Sequence, residues 1–118
     1  MAHSWGAQTE GKKTPDFLFP SAEHYRNLRW NGSHLRMLAT KTTCKDRWRQ
    51  ILNEADRIKR KHLLTLQEGV SVDQHREMEA ANVQLVVPRR LFSAYPEQIR
   101  TKLMAFEEFI NDARALPV

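Results

Sequence analysis

Three short apolar runs do most to limit what this chain can fold into: LRMLATKTT at 35–43, HLLTLQEG at 62–69 and VQLVVP at 83–88. Each has strand length, and VQLVVP is so nearly continuous in apolar residues that both its faces must be covered. In the first run Leu35, Met37 and Ala39 fall on one face and Arg36, Leu38 and Thr40 on the other, and its β-branched end favours strand over helix. Between the runs the period changes. Trp48, Ile51, Leu52, Ala55 and Ile58 recur at helical spacing and predict an amphipathic helix. SVDQHREMEAANV opens with Ser71 and Gln74 in capping-box register and predicts a second helix. PEQIRTKLMAFEEFINDARA predicts one long terminal helix, with Pro96 near its first turn and Ile99, Leu103, Phe106 and Ile110 inward. Upstream, PDFLFP is a short strand bracketed by prolines, SAEHYRNL a short helix whose cap is imperfect because His24 stands three after Ser21, and NGSH a turn. Strands alternating with helices give an α/β fold: a central mixed sheet flanked by helices.

At 118 residues the chain is one domain or part of one. Residues 1–14 are polar and Gly-bearing and read as a flexible or partly ordered arm, leaving 15–118 as the folded domain. No apolar stretch is long enough to span a bilayer and no hydrophobic leader follows the first methionine, so a soluble, cytoplasmic protein is expected. Cys44 is the only cysteine, which excludes an internal disulfide and a multi-cysteine zinc site; a half-buried structural thiol is expected there. The histidines show no metal-ligand spacing, and Tyr25 and Trp48 read as core. Trp30 fits loop packing or a DNA contact about equally.

The net charge of +5 is compatible with a polyanion partner but common among ordinary proteins. Its clustering says more. Lys41, Lys45, Arg47 and Arg49 form one group, Arg57, Lys59, Arg60 and Lys61 another, and Arg89 with Arg90 a third. Such groups either line a phosphate-tracking groove or sit on a solvated surface.

The predicted layout can bring three chemistry-bearing residues together. Asp16 heads the first strand, Lys41 lies near the end of the next, and Glu54 borders the apolar stripe of the following helix. Two carboxylates can hold a hard divalent cation, and a lysine can orient water and offset charge on a pentavalent phosphorus. The plainer reading is a Pro-Asp turn, a solvated lysine, and a Glu54 paired with Arg57 or Lys61.

TEGKKTPDFLFPS, LATKTTCKDRWRQILNEADRI, KHLLTLQEGVS and LVVP together resemble the catalytic C-terminal domain of the EcoRII-type restriction endonucleases, within the PD-(D/E)xK nuclease superfamily. The resemblance runs from about Thr9 to the end. In this subgroup the second acid has moved from beside the strand lysine to the next helix, matching Ala39 two before Lys41 and Glu54 downstream. The resemblance implies Asp16 and Glu54 as ligands of Mg²⁺ and Lys41 as the catalytic lysine. It further implies that Lys45, Asp46 and Arg47, with Arg49 beside them, read a CC…GG target such as CCWGG in double-stranded DNA; Asp46 accepts from cytosine N4, while Arg47 or Lys45 donates to guanine. A solvated helix start with Asp46 paired to Arg49 is the alternative. A homodimer is implied, together with a cognate DNA methyltransferase that acts on the same site in a prokaryotic cytoplasm. Relatives carry a substantial segment before Asp16 that this chain is expected to lack, so a non-catalytic DNA-binding remnant, pairing with a full-length partner, is the second reading. A repair nuclease on the same scaffold is the third.

Overall fold

The computed structural model describes residues 4–5, 17–42 and 47–116. Six strands, β1 (Ser4–Trp5), β2 (Phe17–Phe19), β3 (Arg36–Lys41), β4 (Lys61–Thr65), β5 (Val83–Val87) and β6 (Met104–Ala105), form one sheet in chain order. β1, β2 and β3 pair antiparallel, while β3 to β6 run parallel. The mixed sheet expected from the alternating pattern is therefore present. Among the described residues four α-helices accompany it: α1 (Ala22–Arg26), α2 (Val72–Ala80), α3 (Glu97–Arg100) and α4 (Phe106–Arg114).

Parallel neighbours need crossovers, and a right-handed crossover always covers the same face when strand order follows chain order. One face of the sheet buries Met37, Ala39, Leu63, Leu85 and Val87 against Trp48, Ile51, Met78, Leu91 and Ile99 from the crossover segments. The other face buries Phe19, Leu38 and Val86 against Phe109, Ala113 and Leu116 of α4 and its end. The expected alternation in β3 holds: Met37 and Ala39 go to the crossover face, Leu38 to the α4 face. The Ser71 hydroxyl caps α2 by accepting from the Gln74 amide at 3.1 Å.

Two expected helices differ. The first is a 3-10 segment, Arg47–Asn53, that ends before Ala55, whose φ of 51° is left-handed. Its apolar residues Trp48, Ile51, Ala55 and Ile58 are all buried, as the spacing requires. Burial of these side chains was legible; the tighter winding was not. The second, the terminal helix, is broken into α3, β6 and α4. Its residues must reach both sides of the sheet, since Ile99 and Leu103 join the crossover core and Phe109 and Ala113 the opposite one. A straight helix cannot do that. The chain instead rounds the sheet edge by pairing Met104 and Ala105 with Val86 and Val87, and Glu108 Oε1 accepts from the Ala105 amide at 2.8 Å to start α4. Phe106, expected inward, is 40% exposed as a result.

The NGSH turn is a 3-10 turn, Gly32–His34, capped by the Asn31 side chain, which accepts from the Ser33 amide at 2.9 Å. Arg57 clamps the stretch before it. Its guanidinium donates to the carbonyls of Tyr25, Asn27 and Trp30, and its amide donates to the Tyr25 hydroxyl at 3.2 Å. Trp30 packs against the core and donates from Nε1 to the His34 carbonyl at 3.3 Å, so its loop-packing role is filled.

Candidate active site

Lys41 closes β3, and register places it opposite Thr65, the last residue of β4. A cleft of about 450 Å³ opens there, lined by Thr40, Lys41, Thr42, Leu64, Thr65 and Leu66. The carboxyl ends of parallel strands are where open α/β sheets bind ligands. β2 is antiparallel to β3 and pairs Phe17 with Leu38, so it enters the sheet from this same end. By strand alternation Lys41 has the parity of Met37 and Ala39, and so belongs to the crossover face.

The cleft floor is held by hydrogen bonds. Thr65 Oγ1 donates to the Thr42 carbonyl at 3.4 Å and accepts from the Gln67 amide at 3.1 Å. The buried Tyr95 hydroxyl donates to the Gln67 carbonyl at 2.6 Å. Together these bonds tie the exit of β4 to the residue following Lys41. Sequence reading missed Thr65; its only signal was a lone hydroxyl at the end of an apolar strand.

Glu54 follows the 3-10 segment on the same face as Lys41. Its amide donates to the Ile51 carbonyl at 3.0 Å, an i to i−3 bond that carries the 3-10 winding one residue further. With three residues per turn, Trp48, Ile51 and Glu54 stack in one row. The Glu54 carboxylate therefore follows two buried side chains inward, and its Oε1 is shielded from solvent. The position bordering the apolar stripe, expected from helical spacing, becomes a position in line with it.

Asp16, Lys45, Asp46 and Cys44 lie outside the described residues, as does the Arg47 side chain. Arg49 is exposed, rests over the Trp48 ring at 4.6 Å, and donates to Glu77 Oε2 of α2 at 2.6 Å. Among the described residues no group of three histidine, cysteine, aspartate or glutamate side chains could hold a metal ion. The Glu54 carboxylate offers hard oxygen donors, one of them shielded, of the kind an oxygen-seeking divalent cation takes.

Among the described residues, several members of the basic clusters are engaged away from the Lys41 cleft. Arg57 and Lys61 turn inward onto backbone carbonyls, Arg60 holds the amides of Asn82 and Gln84, and Arg89 pairs with Glu107 at 2.8 Å. A larger cleft of about 640 Å³ is lined by Arg36, Arg57, Arg60, His62 and Asp112 among others. Its cations are largely engaged, Arg36 by Asp112 at 2.8 Å. His62 in its wall is buried, with Nδ1 lacking a hydrogen-bond partner among the described residues. Burial, with the Arg60 charge adding to it, lowers the imidazole pKa to about 4, so the ring is neutral at neutral pH.

A family model described as EcoRII C terminal matches residues 1–110. The type II restriction enzyme EcoRII of Escherichia coli is 58% identical over 110 residues, which is 93% of this chain and 27% of that protein. This chain thus spans about a quarter of the length of the curated relative it matches. Two solved structures of Ecl18kI, metal-depleted and in complex with uncleaved DNA or with uncleaved, modified DNA, superpose with a TM-score of 0.72 at 22% identity, over 86% of this chain and 34% of theirs. That likeness establishes the fold. No helix among the described residues is long and apolar enough to cross a membrane.

Proposed function

This chain belongs to the EcoRII C-terminal family, and we propose that it is the catalytic core of a Mg²⁺-dependent type II restriction endonuclease hydrolysing double-stranded DNA at a short CC…GG site such as CCWGG. The observation that carries the reading is Lys41 at the carboxyl end of β3, beside a cleft and on the face that also bears Glu54, one of whose carboxylate oxygens is shielded from solvent. The family match spans Asp16, Lys41 and Glu54.

In this reading Asp16 and Glu54 hold the divalent cation through carboxylate oxygens, and the bound cation supplies positive charge at the scissile phosphate. The Lys41 ammonium orients the attacking water and offsets negative charge building on the phosphorus oxygens. Asp46 accepts from cytosine N4, and Arg47 or Lys45 donates to guanine O6 and N7 in the major groove. Arg49 exchanges its exposed Glu77 partner for a DNA phosphate, a small loss because such surface pairs contribute little. A two-fold dimer places one such site on each strand of a near-palindromic target. A methyltransferase acting on the same sequence protects the host, in a prokaryotic cytoplasm.

The second reading is a DNA-binding remnant that does not cut and pairs with a full-length partner. Purified protein, Mg²⁺, and plasmids containing or lacking CC(A/T)GG and CCNGG sites separate the readings. The nuclease cuts only site-bearing plasmids and leaves ends that map to those sites. Cutting that ignores the sites points to a different nuclease, and binding without any Mg²⁺-dependent cutting points to the remnant.

A further inference from the structure

We infer that Lys61 is a positioning residue for the Glu54 carboxylate, through the tight turn that follows this acid. The inference rests on the nuclease reading, in which Glu54 is a metal ligand. Lys61 opens β4, where a lysine ordinarily carries its ammonium out to water. Here the whole residue is 5% exposed. Its Nζ donates to the Ala55 carbonyl at 3.0 Å and also to the Ile58 carbonyl.

Both carbonyls belong to the turn that begins one residue after Glu54. The Ala55 carbonyl also accepts the Ile58 amide at 2.9 Å, so one oxygen is held by a backbone donor and a buried cation together. Ala55 needs that support. Its φ of 51° is left-handed, a region that residues with a Cβ seldom occupy, and it is fully buried. On the other side, the Glu54 amide is fixed to the Ile51 carbonyl at 3.0 Å. The backbone carrying the carboxylate is thus pinned before and after it.

The strand KHLLT has no need of a buried ammonium for its own sake. An apolar residue would fill the space without the desolvation that a buried charge entails. What the charge adds is strong, directional bonding to the turn next to Glu54. A metal ligand must be held to within a fraction of an ångström, and residues that support ligands act through such bonds.

Lys61→Met keeps the buried stem and removes the three N–H donors. Mn²⁺ binding to the full chain without DNA, read by electron paramagnetic resonance, is measured beside thermal unfolding and Mg²⁺-dependent cleavage of a CCWGG duplex. The Mn²⁺ dissociation constant is expected to rise about tenfold or more, with cleavage falling in step and partly recovering at high Mg²⁺. Adding Ala55→Gly removes the left-handed penalty, so the double variant is expected to be more stable than Lys61→Met and to regain part of the lost metal affinity. It also serves as the test protein where Lys61→Met alone does not fold. A Lys61→Met protein that binds Mn²⁺ and cuts like wild type overturns the inference and leaves the nuclease reading standing. So does a double variant with no gain in stability or affinity. Wild-type protein that neither binds Mn²⁺ nor cuts overturns the nuclease reading and the role of Lys61 together.

Discussion

His62 makes the stability of this fold depend on pH in a direction and by an amount that can be worked out. Its ring is buried in β4, packs on Phe109 at a centroid distance of 5.0 Å, and leaves Nδ1 without a hydrogen-bond partner among the described residues. Burial first, and the Arg60 charge second, lower its pKa from 6.5 to about 4, against the partial opposing effect of Asp112. Between those two values the unfolded chain takes up a proton that the folded chain refuses. Stability therefore falls as pH drops through the unfolded value, and the loss levels off below the folded one. Linkage puts the loss at about 2 kcal/mol at about pH 5 relative to about pH 8, with a ceiling of about 3 kcal/mol. His62→Leu removes the titration at similar volume and also removes the unpartnered nitrogen, so at about pH 8 the variant is expected within about 1 kcal/mol of wild type. Urea unfolding followed by tryptophan fluorescence, at several pH values for both proteins, isolates the effect because every other group titrates in both. The difference between the two stabilities should shift by about 2 kcal/mol in favour of the variant as pH falls. Parallel curves, separated by a constant amount from about pH 8 to about pH 5, refute the reasoning.

The Arg57 clamp joins the Tyr25–Trp30 stretch to the turn after Glu54 with three guanidinium bonds. Two are partly buried and one is exposed, so Arg57→Ala is expected to lose about 3 kcal/mol, a drop in melting temperature of about 12 °C for a chain of this size; a change under about 4 °C contradicts the clamp. At the cleft, Thr65→Val keeps the shape of the side chain but removes its bond to the Thr42 carbonyl. Cleavage of a CCWGG duplex should fall about tenfold with duplex binding retained and Thr65→Ser restoring the rate, whereas equal rates for Thr65→Val and wild type remove Thr65 from the site.

The strands were readable because their signal is local. Met37, Leu38 and Ala39 alternate in sequence as they do between the two cores, and VQLVVP is buried on both faces as its composition requires. What escaped was set by tertiary demand. Nothing in residues 96–115 announces that Ile99 and Phe109 must lie on opposite sides of a sheet, yet that requirement breaks the helix at Met104. The winding of the segment before Glu54 escaped similarly, because Trp48 and Ile51 fit a helical period of three as well as one of 3.6. At the site, Lys41 was legible as a strand-end lysine. Glu54 was picked out by its border position, but the shielding of its Oε1 depends on the tighter winding. The buried Lys61 was indistinguishable in sequence from the exposed Lys59 two residues earlier. Charge alone does not say which cation turns inward.

The central claim is that Lys41 serves metal-dependent phosphodiester hydrolysis at the carboxyl end of β3. Its most direct test is strand cleavage of a short CCWGG duplex with Mg²⁺ by wild type and by Lys41→Ala, with duplex binding measured separately in the absence of Mg²⁺. The account predicts cutting by wild type, a loss of about a hundredfold or more in Lys41→Ala, and equal binding by the two. Equal cutting by both proteins, or no cutting by either, contradicts it.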